Sequence, residues 1–195
     1  EIRKLLEDLP EDIPLDIVFE DEHILVINKP AGLVVHPGAG NTSGTLLNAL
    51  LHYIPKQKKL ARAGIVHRLD KDTSGIMVIA KSELAHTSLI DQLKNRSMHR
   101  EYEAIVEGVL TGGFNVNEPI DRHPKNRVKM AVRSDGKEAI TQIRVIKRFK
   151  AHTHVQARIL TGRTHQIRVH CAYKGYPILG DLIYGARKVV PKDSP

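Results

Sequence analysis

The 195-residue sequence holds a single cysteine, Cys171. No disulfide can close within it, and zinc sites built on several cysteines are excluded; a reducing cytoplasm is the expected compartment. No apolar run approaches the ~18 residues that span a bilayer, so no membrane partner is expected. The opening EIRKLLEDLPED lacks the apolar core of a secretory signal. It also begins with Glu1 rather than Met, and a fragment of a longer chain is expected. Acid is concentrated at that end, in Glu1, Glu7, Asp8, Glu11, Asp12, Asp16, Glu20, Asp21 and Glu22, which leaves the remainder more basic than the average.

Lys and Arg number 30 against 22 Asp and Glu, for a formal net charge of +8. Such a surface favours a polyanionic partner, and nucleic acid is the usual one. Hydrophobic residues at 41% and charged residues at 27% are ordinary for a globular chain whose length suits one domain, with or without a small appendage.

Residues 1–14 read as a linker ending at Pro14. Branched residues predict strands at 16–20 and 24–29, followed by the breaker cluster NKPAG and a glycine-rich loop at 34–44. Leu46, Leu47, Leu50, Leu51 and Ile54 recur at helical spacing, and PKQKKLAR at 55–62 forms a basic connection. IMVIAK at 76–81 predicts a buried strand, and 83–98 an amphipathic helix capped by Ser82. A strand is expected at 100–110, then a turn-rich stretch TGGFNVNEPIDRHPKNR, then strands at 138–149 and 153–160. THQIRVHCAYKG at 164–175 predicts a helix with Thr164 as cap and Gly175 as stop. Strands dominate without regular strand–helix alternation, which favours an α+β domain on a largely antiparallel sheet.

Several chemistries can be weighed on residue patterns. HPGAGNTSGT lies between a strand and a helix as a phosphate cradle would, but no Lys follows its last glycine. The region where a ribose-binding acid would belong reads KQKKLAR, so a structural turn is the better reading and no nucleotide cofactor is expected. The 11 histidines include no HExxH, so no metal is expected. Ser74 sits in no nucleophile elbow, and Cys171 reads as a buried thiol.

The stretch HRLDKDTSG at 67–75 packs charge between the apolar runs AGIV and IMVIA. It reads either as a turn held by the Asp72 and Thr73 side chains or as a loop presenting a reactive Asp70. A reactive carboxylate needs an opposite charge to stay ionised when substrate desolvates it, and Arg163 and Arg168 in GRTHQIR are the candidates. On the predicted helix, Arg168 shares a face with His165 and Ala172, while Ile167 and Cys171 define another.

Taken together, INKPAGLVVHPG, HRLDKDTSG, REYEA, TGRTHQIRVH and PILGD, in this order across residues 16–186, resemble the RluA/RluD family of RNA pseudouridine synthases. The PGAGNTSGTLLNALLHY and RAGIVHRLDKDT stretches are most similar to the RluD branch, which modifies bacterial large-subunit (23S) ribosomal RNA. The resemblance implies a pseudouridine synthase fold, a mixed, mostly antiparallel sheet with flanking helices around a central RNA-binding cleft. It implies Asp70 as the catalytic aspartate, Tyr102 against the target uracil as later proton acceptor, and Arg168 as the partner of Asp70. It implies Arg68 in the gap left by a flipped uridine, with His67, Arg163 and His165 as further RNA-binding residues. It also implies that residues 1–14 link to a missing S4-like domain, and that residues 15–195 are a catalytic domain shortened at its C-terminus. The expected protein is a cofactor-free cytoplasmic monomer acting on ribosomal RNA or the pre-ribosomal large subunit. The same chemistry on transfer RNA or another ribosomal site, and a non-catalytic RNA-binding assembly factor, are the alternatives.

Overall fold

In a computed structural model of the chain, residues 9–38, 40–126 and 128–185 are described. They fall into two compact units that divide between Met98 and His99.

The first unit is built on the antiparallel sheet β1 (Ile17–Glu20), β2 (Ile24–Lys29) and β3 (Gly75–Ala80), in that order. The two-residue period of a strand sorts β2 into faces. Leu25, Ile27 and Lys29 are buried on one face, across from Ile79, Met77 and Gly75. On the other face, Ile24 and Val78 pack with Ala80 against Ala85 and Leu89 of α2 (Glu83–Lys94). Ser82 caps that helix as expected, its hydroxyl accepting from the Ala85 N–H at 3.2 Å. The helix ends at Lys94, short of the expected 98.

Helix α1 (Leu46–Tyr53) begins in a capping box: Thr45 N donates to Asn48 Oδ1, and the Asn48 N–H points back at Thr45 Oγ1. Its leucines are buried as the spacing predicts. Residues ahead of β1 are tied to it, Asn48 donating to Leu9 O at 2.8 Å and Glu11 N to Asn48 O. The basic connection after α1 is ordered as two 3-10 turns, Pro55–Lys59 and Ala61–Gly64.

The second unit holds the antiparallel sheet β4 (Arg100–Glu107), β9 (His152–Ile159), β8 (Ile140–Arg148) and β5 (Phe114–Asn117), in that spatial order. Strand β9 lies between β4 and β8 and alternates strictly, with Thr153, Val155, Ala157 and Ile159 buried. Val106, Val155, Ala157 and Ile143 form a core with Cys171 of α3 (Gln166–Tyr173). The turn-rich stretch contains β5 and also β6 (Ile120–Arg122), which pairs with β7 (Met130–Val132). These strands of three or four residues are too short to show a period of their own and are set by their partners.

The start of α3 also departs from expectation. Its cap is His165, in the left-handed region at φ 55°, and no side chain caps it; Thr164 stands one residue too early. Its end follows expectation: Gly175 takes φ 82°, and the Tyr176 N–H reaches back to Cys171 O at 2.9 Å.

Candidate active site

In the first unit, HRLDKDTSG runs from the second 3-10 turn into β3. Leu69 is buried and anchors the loop, while Arg68 is exposed and Asp70 half-buried on either side of it. His67 belongs to the scaffold as well as to the loop. Its Nε2 accepts the Val78 N–H at 3.0 Å, so Nε2 carries no proton in that bond. The turn after Asp70 closes through backbone, Thr73 N donating to Asp70 O at 3.1 Å.

The main support of this loop is Lys29, whose side chain is fully buried. Its ammonium donates to Pro30 O at 2.8 Å, Leu33 O at 2.9 Å and Lys71 O at 3.1 Å. All three donors of the ammonium are thereby used. Lys71 O also accepts from Gly32 N at 2.8 Å, which stitches NKPAG to the residue after Asp70. Burial pulls the Lys29 amine below its ordinary value, and the charges of Asp72 and Asp70 act in the opposite sense. A buried cation thus lies within electrostatic reach of the loop's two aspartates while holding its backbone.

The glycine-rich loop of the first unit directs backbone donors to partners within the protein. Gly38 and Asn41 exchange N–H···O bonds of 2.8 and 3.0 Å, and Gly44 N donates to Glu11 Oε1 at 2.9 Å. Among the described residues this is a structural turn, in which Gly40 (φ 88°) and Gly44 (φ 68°) supply the left-handed positions.

In the second unit, Tyr102 lies on the core-facing side of β4, opposite Ala157, and packs against the Val106–Cys171 cluster. Its neighbour Arg100 passes close over Gly162, where a Cβ would sit 2.5 Å from Nη1. Burial lowers the Arg100 guanidinium from its ordinary value, with Tyr102 acting the other way.

The TGRTHQIR turn is organised by Gln166, which is buried. Its Oε1 accepts from Thr161 Oγ1 at 2.8 Å and Arg163 N at 3.0 Å, and its Nε2 donates to Ile140 O and Thr141 Oγ1. Arg163 Nε donates to Glu138 O at 2.8 Å. Arg168 points to Asp181, with Nε–Oδ2 at 2.7 Å and Nη2–Oδ1 at 2.9 Å, a two-point pairing. The Asp181 side chain is 3% exposed and also accepts from the Ile183 and Tyr184 amides. Burial alone would raise its carboxyl; the Arg168 hydrogen bonds, the two amides and the Arg168 charge outweigh that and hold it below the usual carboxylate range. The Tyr184 ring lies 5.0 Å beneath the Arg168 guanidinium. Its hydroxyl accepts from Met130 N and meets His165 Nδ1 at 2.7 Å. Tyr184 thus brings His165 and Arg168 together from one side.

Lys29, Gln166, Asp181 and Tyr184 carry this architecture and were not singled out on sequence. Lys29 was accessible in principle, because it shares the parity of Leu25 and Ile27 and so falls on the buried face. Asp181 lies in the PILGD motif, but its partner is set only by the fold. No cluster of three or more metal-ligating side chains occurs among the described residues.

The RNA pseudouridylate synthase family model matches residues 23–173, which include β2, HRLDKDTSG, β4 and all of GRTHQIRVHCAY. The chain belongs to the RNA pseudouridylate synthase family. The chain is 57% identical over 184 residues to a ribosomal large subunit pseudouridine synthase D of Xylella fastidiosa, covering 94% of this chain and 56% of that relative. It is 59% identical over 183 residues to the synthase D of Pseudomonas aeruginosa, covering 94% and 57%. The chain therefore spans a little over half the length of these curated relatives. Among solved pseudouridylate synthase structures, human RNA pseudouridylate synthase domain containing 1 superposes with a TM-score of 0.72 at 28% identity, covering 91% of this chain and 72% of that one. The human domain containing 4 protein gives 0.69 at 27% identity, covering 96% and 72%.

Proposed function

We propose that this chain is the catalytic part of an enzyme that converts uridine to pseudouridine in large-subunit ribosomal RNA. The observation that carries the proposal is Asp70, held half-exposed by the buried Lys29 on a loop inside the family match. The name borne by the relatives supplies the substrate class. In the reaction the N1–C1′ bond breaks, uracil turns, a C5–C1′ bond forms, the C5 proton leaves and N1 regains one. Product and substrate are isomers, so the chemistry requires neither oxidant nor co-reactant.

Asp70 is the catalytic carboxylate, acting as nucleophile or base. Arg68, exposed beside it, is the guanidinium that fills the stack when the uridine flips out, a step that costs a few kcal/mol. In the second unit, Tyr102 is proposed to lie against the uracil and accept a late proton. Arg168 is proposed to supply positive charge to the reaction from its seat on Asp181. Arg163 is assigned to RNA, and His67 and His165 serve RNA binding largely by fixing the loops that carry their neighbours. The remaining expectations, a monomer working in the cytoplasm as one catalytic domain after a linker, belong to the same proposal; no helix among the described residues is long and apolar enough to cross a membrane.

The test is turnover on a large-subunit ribosomal RNA transcript, with pseudouridine mapped by position. Asp70→Ala should abolish product while RNA binding persists. Full activity in that variant would remove the assignment, and product on transfer RNA alone would move the substrate.

A further inference from the structure

PKQKKLAR was left without a role by the sequence, and the structure gives it an unusual form. From Ile54 to Ala63, every third residue is buried: Ile54, Gln57, Leu60 and Ala63. The residues between face outward, so Lys56, Lys58, Lys59 and Arg62 are exposed along a ribbon that contains no acid. Lys56 acts on the carboxyl of Glu20. Lys58, Lys59 and Arg62 make no hydrogen bond or ion pair through their side chains among the described residues.

The end of the ribbon is strained. Arg62 (φ 51°), Ala63 (φ 51°) and Gly64 (φ 79°) occupy the left-handed region in succession. Only the last is a glycine, and the conformation is disfavoured for the other two. The surroundings enforce it. Buried Gln57 donates to Ala63 O at 2.9 Å and to Ala80 O at 2.7 Å. A Cβ at Gly64 would lie 2.0 Å from Ala80 O. A charge run is ordinarily a solvated face, and a solvated face has no need of a fixed, strained backbone. Strain of this kind is kept where a side chain must be presented in one place.

That place is beside the candidate catalytic loop. Arg62 and Arg68 both act electrostatically on His36, in the glycine-rich loop. Burial, then these two charges, push the His36 imidazole below its ordinary value, so it adds no third positive charge at neutral pH.

We propose that the Lys58–Lys59–Arg62 ribbon is a binding site for the phosphodiester backbone of the substrate RNA, with Arg62 fixed to hold a phosphate next to the nucleotide handled by Arg68. A guanidinium matches phosphate oxygens in a planar two-point contact, and flexible lysines follow the backbone without reading sequence. The inference rests on the RNA-modifying reading above and adds the surface on which the RNA lies.

The test compares two triple variants with equal charge loss. One is Lys58→Gln, Lys59→Gln, Arg62→Gly; the other, in the second unit, is Lys125→Gln, Lys137→Gln, Lys150→Gln. Affinity for a ribosomal RNA stem-loop transcript is measured across 50–200 mM salt. Each phosphate that a side chain neutralises adds roughly 0.7–0.9 to the salt slope, so the ribbon variant should have a slope shallower by about 2–3. That corresponds to an affinity lower by about a hundredfold or more near 0.1 M salt. The second triple should change several-fold less. Equal losses in both, or an unchanged slope in the first, overturn the proposal. The single Arg62→Gly variant separates binding from folding, because glycine accepts φ 51° without strain. It should melt no lower than the parent yet bind RNA roughly tenfold more weakly; a lowered melting temperature with unchanged affinity makes Arg62 merely structural. An unaltered protein that forms no pseudouridine, while the ribbon variant still loses affinity, would sink the enzymatic reading and leave the ribbon standing. Turnover with a ribbon-independent affinity would do the reverse.

Discussion

Replacing Lys29 with methionine keeps an apolar stem of similar length and removes the ammonium. Three carbonyls, those of Pro30, Leu33 and Lys71, then lose a charged donor at 2.8–3.1 Å. Hydrogen bonds to charged groups contribute about 1.5–3 kcal/mol each, and the desolvation of the ammonium that the variant avoids offsets part of their sum. Removing one member of a buried charged arrangement costs about 3–5 kcal/mol in comparable cases, which sets the expected loss. The loss is local to the first unit, so hydrogen exchange is the appropriate assay. Gly32 N–H, bonded to Lys71 O, and Thr73 N–H, bonded to Asp70 O, report on the loop directly. A change of ~3–5 kcal/mol in opening free energy lowers their protection by about two to three and a half powers of ten. Pseudouridine formation should fall with it, because Asp70 is carried by the loosened turn. Unchanged protection at both amides, with activity lost, would refute the positional role and make Lys29 a participant in the chemistry.

Other outcomes follow from the same geometry. Asp181→Asn should destabilise the second unit by about 3 kcal/mol by removing the buried charge that the Arg168 guanidinium meets at two points. Because the folded carboxyl lies below its ordinary value, this stability is present above about pH 4 and is lost as pH falls through the folded value. Acid titration of the variant should lack that component. His170 is fully buried, with Nε2 on Glu118 O, a bond that only an N–H can make, and Nδ1 on Thr141 Oγ1. Burial lowers its imidazole, so the unfolded chain takes up the proton first, and stability should decline as pH drops below about 6.5, by up to ~1.4 kcal/mol per pH unit. A His170→Gln variant should show a flatter denaturant midpoint between pH 7 and 5. Gly64→Ala places a Cβ 2.0 Å from Ala80 O at a positive φ and should cost at least about 2 kcal/mol by thermal melting.

Much of the scaffold was legible because its elements announce themselves locally. The leucine spacing of α1, the Ser82 cap of α2 and the Gly175 stop of α3 are local signals, and the structure follows them. The failures share a different cause. Strands β5, β6 and β7 are only three or four residues long, too short to show a strand period inside a turn-rich stretch, so they become strands only through their pairing with β8 and with each other. His165 caps α3 in a left-handed conformation rather than the extended one usual for an N-cap; Tyr184 bonds its ring and Gln166 ties the preceding turn. Of the candidate residues, Asp70 in the first unit and Tyr102 and Arg168 in the second were readable as motif residues. Their supports were not, since Lys29 looks like any surface lysine until strand parity places it inward, and Asp181 acquires Arg168 only when its turn folds back against α3.

Cys171 is given no role in the proposed reaction, but its position makes the second unit observable. It is fully buried among Val106, Val155 and Ala157, and burial pushes its thiol up to about 12. A thiolate-seeking reagent therefore finds almost nothing to react with while the unit is closed, and no other cysteine competes for it in these 195 residues. The rate of alkylation becomes a clock for opening of the sheet–helix core, read on the unmodified sequence. Adding RNA should slow that clock if the unit binds RNA and tightens on it, and leave it unchanged otherwise.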